Sequence, residues 1–299
     1  MKRGVCKIIP YVFIDKIMTS FFHNQMFHRP IDKILEDVNH YKPKYHFPCE
    51  KEQQIKIEGK TIFLHHYQCK YSDIILFFPG GSFIDPPTIL HANFAKKIAK
   101  KLKKHVIMVQ YPLFPEVNPL YTTQLMRKMI ETLKLQNITL MGDSAGACLA
   151  LYVLHSYHMD KKDVIQKTIL ISPWFDGAMT NEEIPLIQPH DFILEKDNCY
   201  TLAKRVFSLY IDGKLYLCPK NDGFVFPSEV LMITGGHEIF TPDAILWTKE
   251  QKVLNVRQLV YKNMCHCFII LPIWQANHAI KKIKFFLENK EEKIDYFNL

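Results

Sequence analysis

The sequence lacks the marks of a secreted, membrane-spanning or repetitive protein. Its eight cysteines form no C-x-x-C pair and no regular framework, so a disulfide scaffold is not indicated. No run of about eighteen apolar residues is present, which argues against a spanning helix. The basic start Met1–Arg3 resembles a signal n-region, but charged residues interrupt the apolar stretch after it and no cleavage pattern appears. We expect reduced thiols, no stable membrane insertion and a cytoplasmic location.

The distribution of basic residues bears on whether the chain binds nucleic acid or an anionic surface. The net charge of +8 comes largely from lysines within residues 96–104, which alternate at helical spacing with Phe94, Ile98 and Leu102. This spacing predicts the solvated face of an amphipathic helix, and attraction to an anionic surface is the alternative. No basic motif interleaved with aromatic residues is present, so we expect no nucleic-acid partner.

Strand and helix patterns alternate through most of the chain. After a hairpin signal at residues 54–67, short apolar, β-branched runs alternate with helical runs as far as Phe286. With 299 residues, 48% of them hydrophobic, the chain can bury a large core. The pattern predicts a single α/β domain: a mostly parallel twisted sheet with helices on both faces and antiparallel strands at its N-terminal edge. Residues 1–45 and an insertion at about 177–226 are expected to form a helical cap.

Residues 142–146, G-D-S-A-G, lie between an apolar strand pattern and a small-residue helical pattern. A serine at such a bend sits in a strained turn with its hydroxyl exposed, and the flanking glycines permit close strand–helix packing. Ser144 is therefore the candidate nucleophile, and an inert helix N-cap is the alternative. Asp143 lies on the wrong side of the turn to orient a histidine, so we interpret it as structural.

Other strand patterns also end in residues with chemical potential, where α/β sheets gather their sites. Gly80 and Gly81 could present backbone N–H groups to an oxyanion, together with the N–H of Ala145. Glu238 and His266 follow two later strands and supply an acid and a base. The chain order serine, acid, histidine is that of the α/β-hydrolase arrangement.

Each residue has a structural alternative. The two glycines could form a plain turn, Glu238 could be a first-turn acid of the helix near Pro242, and His266 could be a structural histidine. The segment 265–267, C-H-C, lacks the ligand spacing of a zinc site, so we expect no metal and no cofactor.

These motifs resemble the hormone-sensitive-lipase-like group of α/β-hydrolases, the bacterial esterases of the α/β-hydrolase fold-3 family. Residues 142–146 are similar to its G-D-S-A-G, 79–83 to its H-G-G-G-F and 111–116 to its Y-R-L-A-P-E. Residues 171–176 resemble its S-P-W-x-D stretch, 236–239 the variant that carries glutamate as the acid, and 264–268 its histidine motif. The likeness runs from about Ile74 to Ile283.

The resemblance implies that Ser144 is the nucleophile, His266 the general base and then acid, and Glu238 its orienting partner. It implies an oxyanion hole from the backbones of Gly80, Gly81 and Ala145. The sequence departs from the group's pattern at three positions: Pro79 replaces a histidine that braces the oxyanion loop, Ser82 a glycine and Pro112 an arginine.

These observations favour a serine carboxylesterase that cleaves short-chain acyl esters through an acyl-enzyme. The alternatives are an amidase or peptidase on the same fold and a non-catalytic ligand-binding protein. The expected partner is a small ester, and a homodimer is left open. The substrate pocket is expected from aromatic side chains, whose alternative role is core packing: Phe83, Trp174, Phe192, Tyr200, Phe207 and Tyr210.

Overall fold

The computed structural model describes residues 46–207, 224–225 and 227–290. The helix and strand patterns that fall within these ranges are confirmed, and their ends differ from the expectation by up to three residues. The strands are β1 (Lys51–Ile57), β2 (Lys60–Tyr67), β3 (Ile74–Phe78), β4 (His105–Gln110), β5 (Ile138–Asp143), β6 (Ile165–Ile171), β7 (Glu229–Gly235) and β8 (Asn255–Tyr261). The α-helices are α1 (Ile89–Leu102), α2 (Pro119–Thr132), α3 (Ala145–Met159), α4 (Ile184–Ile187), α5 (Lys196–Phe207), α6 (Thr241–Glu250) and α7 (Trp274–Leu287).

The strands form one sheet in the order β1-β2-β4-β3-β5-β6-β7-β8. The β1–β2 and β2–β4 pairs are antiparallel, and the remaining pairs are parallel. Chain direction across the sheet reverses between the β3-to-β4 and β4-to-β5 connections, so right-handed crossovers place α1 and α2 on opposite faces. Consistent with this, α1 contacts α7 and α2 contacts α3. The carboxyl ends of β3 and β5 are neighbours at this reversal, the place where α/β sheets gather their sites.

Helix α1 shows how the lysine-rich segment folds. Its apolar residues, among them Phe94, Ile98 and Leu102, are buried, and Lys96, Lys100 and their neighbours lie toward solvent. The solvated-face interpretation therefore holds for this helix. In the part of the chain that is described, no helix combines the length and apolar character needed to cross a bilayer.

The segment between β6 and β7 leaves the sheet. It contains α4, a 3₁₀ turn at Gln188–His190, and α5. Asp191 connects this segment to the β7 loop, because its Oδ2 accepts a hydrogen bond from the Ile239 N–H at 2.8 Å. The expected N-terminal part of the cap, residues 1–45, lies outside the described residues, and so does most of the stretch from 208 to 223.

Candidate active site

The turn between β5 and α3 holds Ser144 in a conformation that few residues adopt. Its backbone has φ 52° and ψ −122°, a region that costs about 1–3 kcal/mol and recurs at functional sites. Glycine is required on both sides of it. A Cβ on Gly142 would lie 2.1 Å from the Gly146 carbonyl oxygen, and one on Gly146 would lie 2.0 Å from that of Phe78. The sharp turn is thus built into the pentapeptide.

The loops after β7 and β8 bring an acid and a histidine to this serine. His266 Nε2 lies 3.0 Å from Ser144 Oγ, and His266 Nδ1 lies 2.6 Å from Glu238 Oε2. The two loops are bonded to each other: the Gly236 N–H donates to the Tyr261 carbonyl at 2.8 Å, and the His237 N–H to the Met264 carbonyl at 3.0 Å. All three side chains are buried. The structure therefore brings together three residues that are far apart in sequence.

The Glu238 carboxylate is held by several donors besides the histidine. Its Oε1 accepts hydrogen bonds from the Gly235 N–H at 2.6 Å, the Ser172 hydroxyl at 3.0 Å and the Thr241 hydroxyl at 3.4 Å. Ser172 Oγ in turn accepts from the Cys267 N–H at 3.0 Å. These bonds leave Oε2 directed at the imidazole. The alternative role of Glu238, a simple first-turn acid of α6, does not fit this environment.

The loop after β3 corrects one expectation about the oxyanion donors. The Gly80 N–H donates to Asp143 Oδ1 at 3.1 Å, so it is already engaged with a buried carboxylate and is not available to an oxyanion. Among the described residues, the backbone N–H groups of Gly81, Ser82 and Ala145 donate to no protein atom. Gly81 has φ +124°, and the Ile84 and Asp85 N–H groups close a tight turn on its carbonyl.

Asp143 braces this loop, in agreement with a structural role. Besides Gly80, its carboxylate contacts His91 Nε2 at 3.3 Å on α1. The Tyr111 hydroxyl holds the loop from the other side, donating to the Pro79 carbonyl at 2.5 Å. Burial, with Asp143 as a lesser cause, raises the pKa of the Tyr111 hydroxyl, which keeps it a neutral donor. These contacts hold the loop in place, although this chain has Pro79 where the related group has histidine.

A thiol lies beside the histidine. Cys267 Sγ is 3.4 Å from His266 Nε2 and 3.6 Å from Asp143 Oδ2. Burial, together with the Asp143 and Glu238 carboxylates, raises the pKa of this thiol well above its ordinary value. A neutral buried thiol is a poor nucleophile.

Comparison with known proteins assigns the family. The family model described as alpha/beta hydrolase fold matches residues 75–270, about two thirds of the chain. This chain belongs to the α/β hydrolase fold family. A curated relative, named an esterase from Acinetobacter venetianus, is 25% identical over 230 residues, which cover 73% of this chain and 76% of the relative.

Solved structures agree on the fold. An esterase/lipase from an uncultured bacterium superimposes with a TM-score of 0.73 at 20% identity, covering 93% of this chain and 97% of its own. An esterase of the bacterial hormone-sensitive lipase family superimposes with a TM-score of 0.69 at 20% identity, covering 87% and 97%. The resemblance seen in the motifs is thereby confirmed, and at these identities the structures themselves show the fold.

In this α/β hydrolase, a group of aromatic rings lies beside His266. We define the aromatic cluster as Phe83, Trp174, Phe207 and Phe240, which are all buried. The Phe83 and Phe207 rings meet edge to face at 5.4 Å, Trp174 stacks on Phe240 at 5.5 Å, and Phe240 meets the His266 ring at 5.2 Å. Three of the six expected pocket residues belong to this cluster.

The other three expected pocket residues differ. Phe192 is partly buried and packs against the core. Tyr200 is 38% exposed with the Lys204 ammonium over its ring, and its described ring contacts do not include the aromatic cluster. Tyr210 lies outside the described residues. The described ring contacts therefore join neither Phe192 nor Tyr200 to the cluster.

Among the side chains that contact Glu238 or His266, sequence analysis missed Ser172 and Phe240. Ser172 directly follows β6 and lies within the S-P-W stretch. Its place at a strand end is the signal that could have identified it. Phe240 lies two residues after Glu238 and carries no polar group, so no motif indicates that its ring supports His266.

Proposed function

We propose that this chain is a serine carboxylesterase that cleaves short-chain acyl esters through an acyl-enzyme intermediate. The observation that carries the proposal is the continuous contact from Ser144 Oγ to His266 Nε2, at 3.0 Å, and from His266 Nδ1 to Glu238 Oε2, at 2.6 Å. Nucleophile, base and orienting acid in this geometry activate a hydroxyl for acyl transfer. The names of the relatives support ester substrates.

In the first step, His266 Nε2 takes the proton of Ser144 as Oγ attacks the ester carbonyl carbon. The carbonyl π electrons move to oxygen, and the N–H groups of Ala145, Gly81 and Ser82 stabilise the resulting oxyanion. Collapse expels the alcohol, which takes the proton from His266. Water repeats the sequence on the acyl-enzyme, releasing the carboxylic acid and restoring Ser144. Glu238 stabilises the imidazolium each time it forms.

The preference for short acyl groups is supported by the aromatic cluster. The Phe83–Phe207 contact joins the oxyanion loop to the last residue of α5, and Trp174 meets Phe207 at 6.4 Å. Bulky buried rings that reach the His266 side chain through Phe240 limit the length of chain that fits. The segment between β6 and β7 would thus act as the cap that closes the acyl side.

The test is turnover of p-nitrophenyl acetate by wild type, Ser144→Ala and the matched control Ser156→Ala. Ser156 lies on α3, the same helix, and its hydroxyl donates to the Val153 carbonyl one turn earlier at 2.7 Å. We expect Ser144→Ala to lose about 10³-fold or more and the control to retain activity, because a triad acts as a unit. Retained turnover in Ser144→Ala, with the protein folded, would refute the proposal.

Two further measurements separate the alternatives. Covalent labelling of Ser144 by a fluorophosphonate would eliminate a non-catalytic binding protein, and turnover of an acyl anilide faster than the matching ester would favour an amidase. A cytoplasmic location remains a proposal, supported by the reduced thiols of Cys49, Cys69, Cys199 and Cys267. A homodimer also stays a prediction.

A further inference from the structure

Three side chains of the kind that bind metals meet at the edge of the sheet opposite the candidate active site. His66 lies near the end of β2, His105 begins β4, and Cys69 follows β2 in a turn. Because β2 and β4 are antiparallel with His66 opposite Ile107, His105, two residues from Ile107, has its side chain on the same face as His66. The sheet register alone thus brings the two imidazoles together.

The distances suit one small ion. His66 Nδ1 and His105 Nε2 are 3.0 Å apart, and with the Cys69 sulfur all the ligand atoms lie within 4.8 Å of one another. Two imidazole nitrogens at about 2.0–2.1 Å from one tetrahedral Zn²⁺ would be about 3.3 Å apart. The rings therefore need to move by only a few tenths of an ångström, and the exposed turn at Cys69 can supply the larger movement of the sulfur.

The nearest charges are of both signs, because the Glu50 carboxylate and the Lys51 ammonium both act on His105 and Cys69. Glu50 lies beside the cluster and accepts the Cys69 N–H at 3.0 Å through one oxygen and the Gln68 side-chain amide at 2.9 Å through the other. His66 is buried, His105 is partly buried and Cys69 is exposed, so the site has one open side. A hydrogen bond between two neutral imidazoles would also give the 3.0 Å contact, and the experiment must separate these interpretations.

We propose that His66, His105 and Cys69 bind one divalent transition-metal ion, with Zn²⁺ the best match to two imidazoles and a thiolate and with water in the fourth position. As the sulfur–metal bond forms, the thiol proton leaves to solvent. The ion would fasten the turn after β2 to the start of β4. Its role is structural, because the proposed catalytic residues lie at the carboxyl ends of the parallel strands.

The experiment uses the full chain, stripped of metal by a chelator and titrated with Zn²⁺ or Co²⁺ alone. We expect one equivalent of Zn²⁺ to bind and raise the Tm, and the Co²⁺ form to show thiolate-to-cobalt charge-transfer absorption. Cys69→Ser should abolish that absorption. Cys69→Ser and His105→Gln should each weaken Zn²⁺ binding by about 100-fold or more, since even loss of an outer-shell partner costs about 10–100-fold.

The matched controls are Cys49→Ser and His46→Ala, which remove a nearby thiol and a nearby imidazole outside the cluster. Both should bind Zn²⁺ as wild type does. Ester turnover should be the same in Cys69→Ser and wild type. No stoichiometric binding by wild type, or equal binding by wild type, Cys69→Ser and His105→Gln, would overturn the proposal. The second result would place the ion elsewhere.

Discussion

Two buried carboxylates lie close to the proposed catalytic centre. The same chemical change should impair catalysis at one and stability at the other. Glu238→Gln and Asp143→Asn both replace a carboxylate with a carboxamide of nearly the same size. Glu238 contacts the imidazole at 2.6 Å, whereas Asp143 contacts Gly80, His91 and Cys267. If Glu238 is the orienting acid, only the first substitution should abolish catalysis.

The magnitude for Glu238→Gln follows from its contacts. Glutamine Oε1 can still accept from Gly235, Ser172 and Thr241, which directs its NH₂ group toward His266 Nδ1. That contact makes Nδ1 an acceptor and puts the ring proton on Nε2, where it faces the serine and cannot receive the serine's proton. We expect kcat to fall by about 10⁴-fold, or about 5 kcal/mol of transition-state stabilisation. The Tm should change little.

Asp143→Asn should lower the free energy of unfolding rather than kcat. His91 Nδ1 accepts from the Thr88 N–H at 3.0 Å, so its Nε2 carries the proton that it donates to Asp143. Asparagine keeps the acceptor for Gly80 but turns NH₂ toward that proton. The cost is one buried hydrogen bond, about 1–3 kcal/mol of unfolding free energy, with kcat reduced by less than about tenfold.

The assay is kcat for p-nitrophenyl acetate together with urea unfolding for wild type and both variants. Equal losses of kcat in the two variants, or a Glu238→Gln enzyme within about tenfold of wild type, would refute the assignment of roles. Glu238→Asp is a further check. It keeps the negative charge that Glu238→Gln removes but lengthens the contact to the imidazole, so its kcat should be higher than that of Glu238→Gln.

Three other predictions concern the pocket, pH and the turn. Phe207→Leu should raise kcat/KM for p-nitrophenyl hexanoate relative to acetate by about tenfold as the pocket opens, and Tyr200→Ala, an exposed aromatic on the same helix, should not change that ratio. Burial raises the pKa of Asp85 to about 6, so its favourable contribution is complete below its unfolded pKa of about 4 and is lost as pH rises through 6. Asp85→Asn should therefore gain about 1–3 kcal/mol over wild type between pH 4 and pH 7.5 in urea unfolding, and no change in the difference with pH would contradict this. Gly146→Ala should cost more than about 3 kcal/mol or prevent folding, since its Cβ would lie 2.0 Å from a carbonyl oxygen. Gly59→Ala, where space is open but φ is +78°, should cost only about 1–2 kcal/mol in the same measurement.

The sequence could predict the meeting of serine, acid and histidine because each follows a strand pattern. Parallel strands carry their carboxyl ends to one edge, so chain order and strand ends fix which side chains converge there. The turn at Ser144 could also be predicted, because the sequence has glycine at 142 and 146. The structure shows why glycine is needed at both positions. These are local or topological rules, and they do not depend on side-chain packing.

The features that could not be predicted depend on contacts between distant segments. Asp143 meets Gly80 and His91 only after α1 has packed on the sheet, and this contact removes Gly80 from the set of free donors. Ser172 joins the Glu238 carboxylate to the Cys267 amide, which are 66 and 95 positions away in the chain. No pattern in the sequence specifies such pairings. The exposed position of Tyr200 is set by how α5 is rotated against its neighbours, which aromatic content alone does not reveal.

Asp143 connects the loop after β3 to the turn that holds Ser144. One residue therefore positions both the proposed oxyanion donors and the proposed nucleophile. The carboxylate that restrains Gly80 belongs to the residue immediately before Ser144, so any shift of the serine turn carries the oxyanion loop with it. Mutagenesis that reshapes the proposed acyl side near Phe83 should therefore keep the proposed nucleophile Ser144 next to the proposed oxyanion donors. In a directed-evolution library on this scaffold, Asp143 is the position to leave fixed.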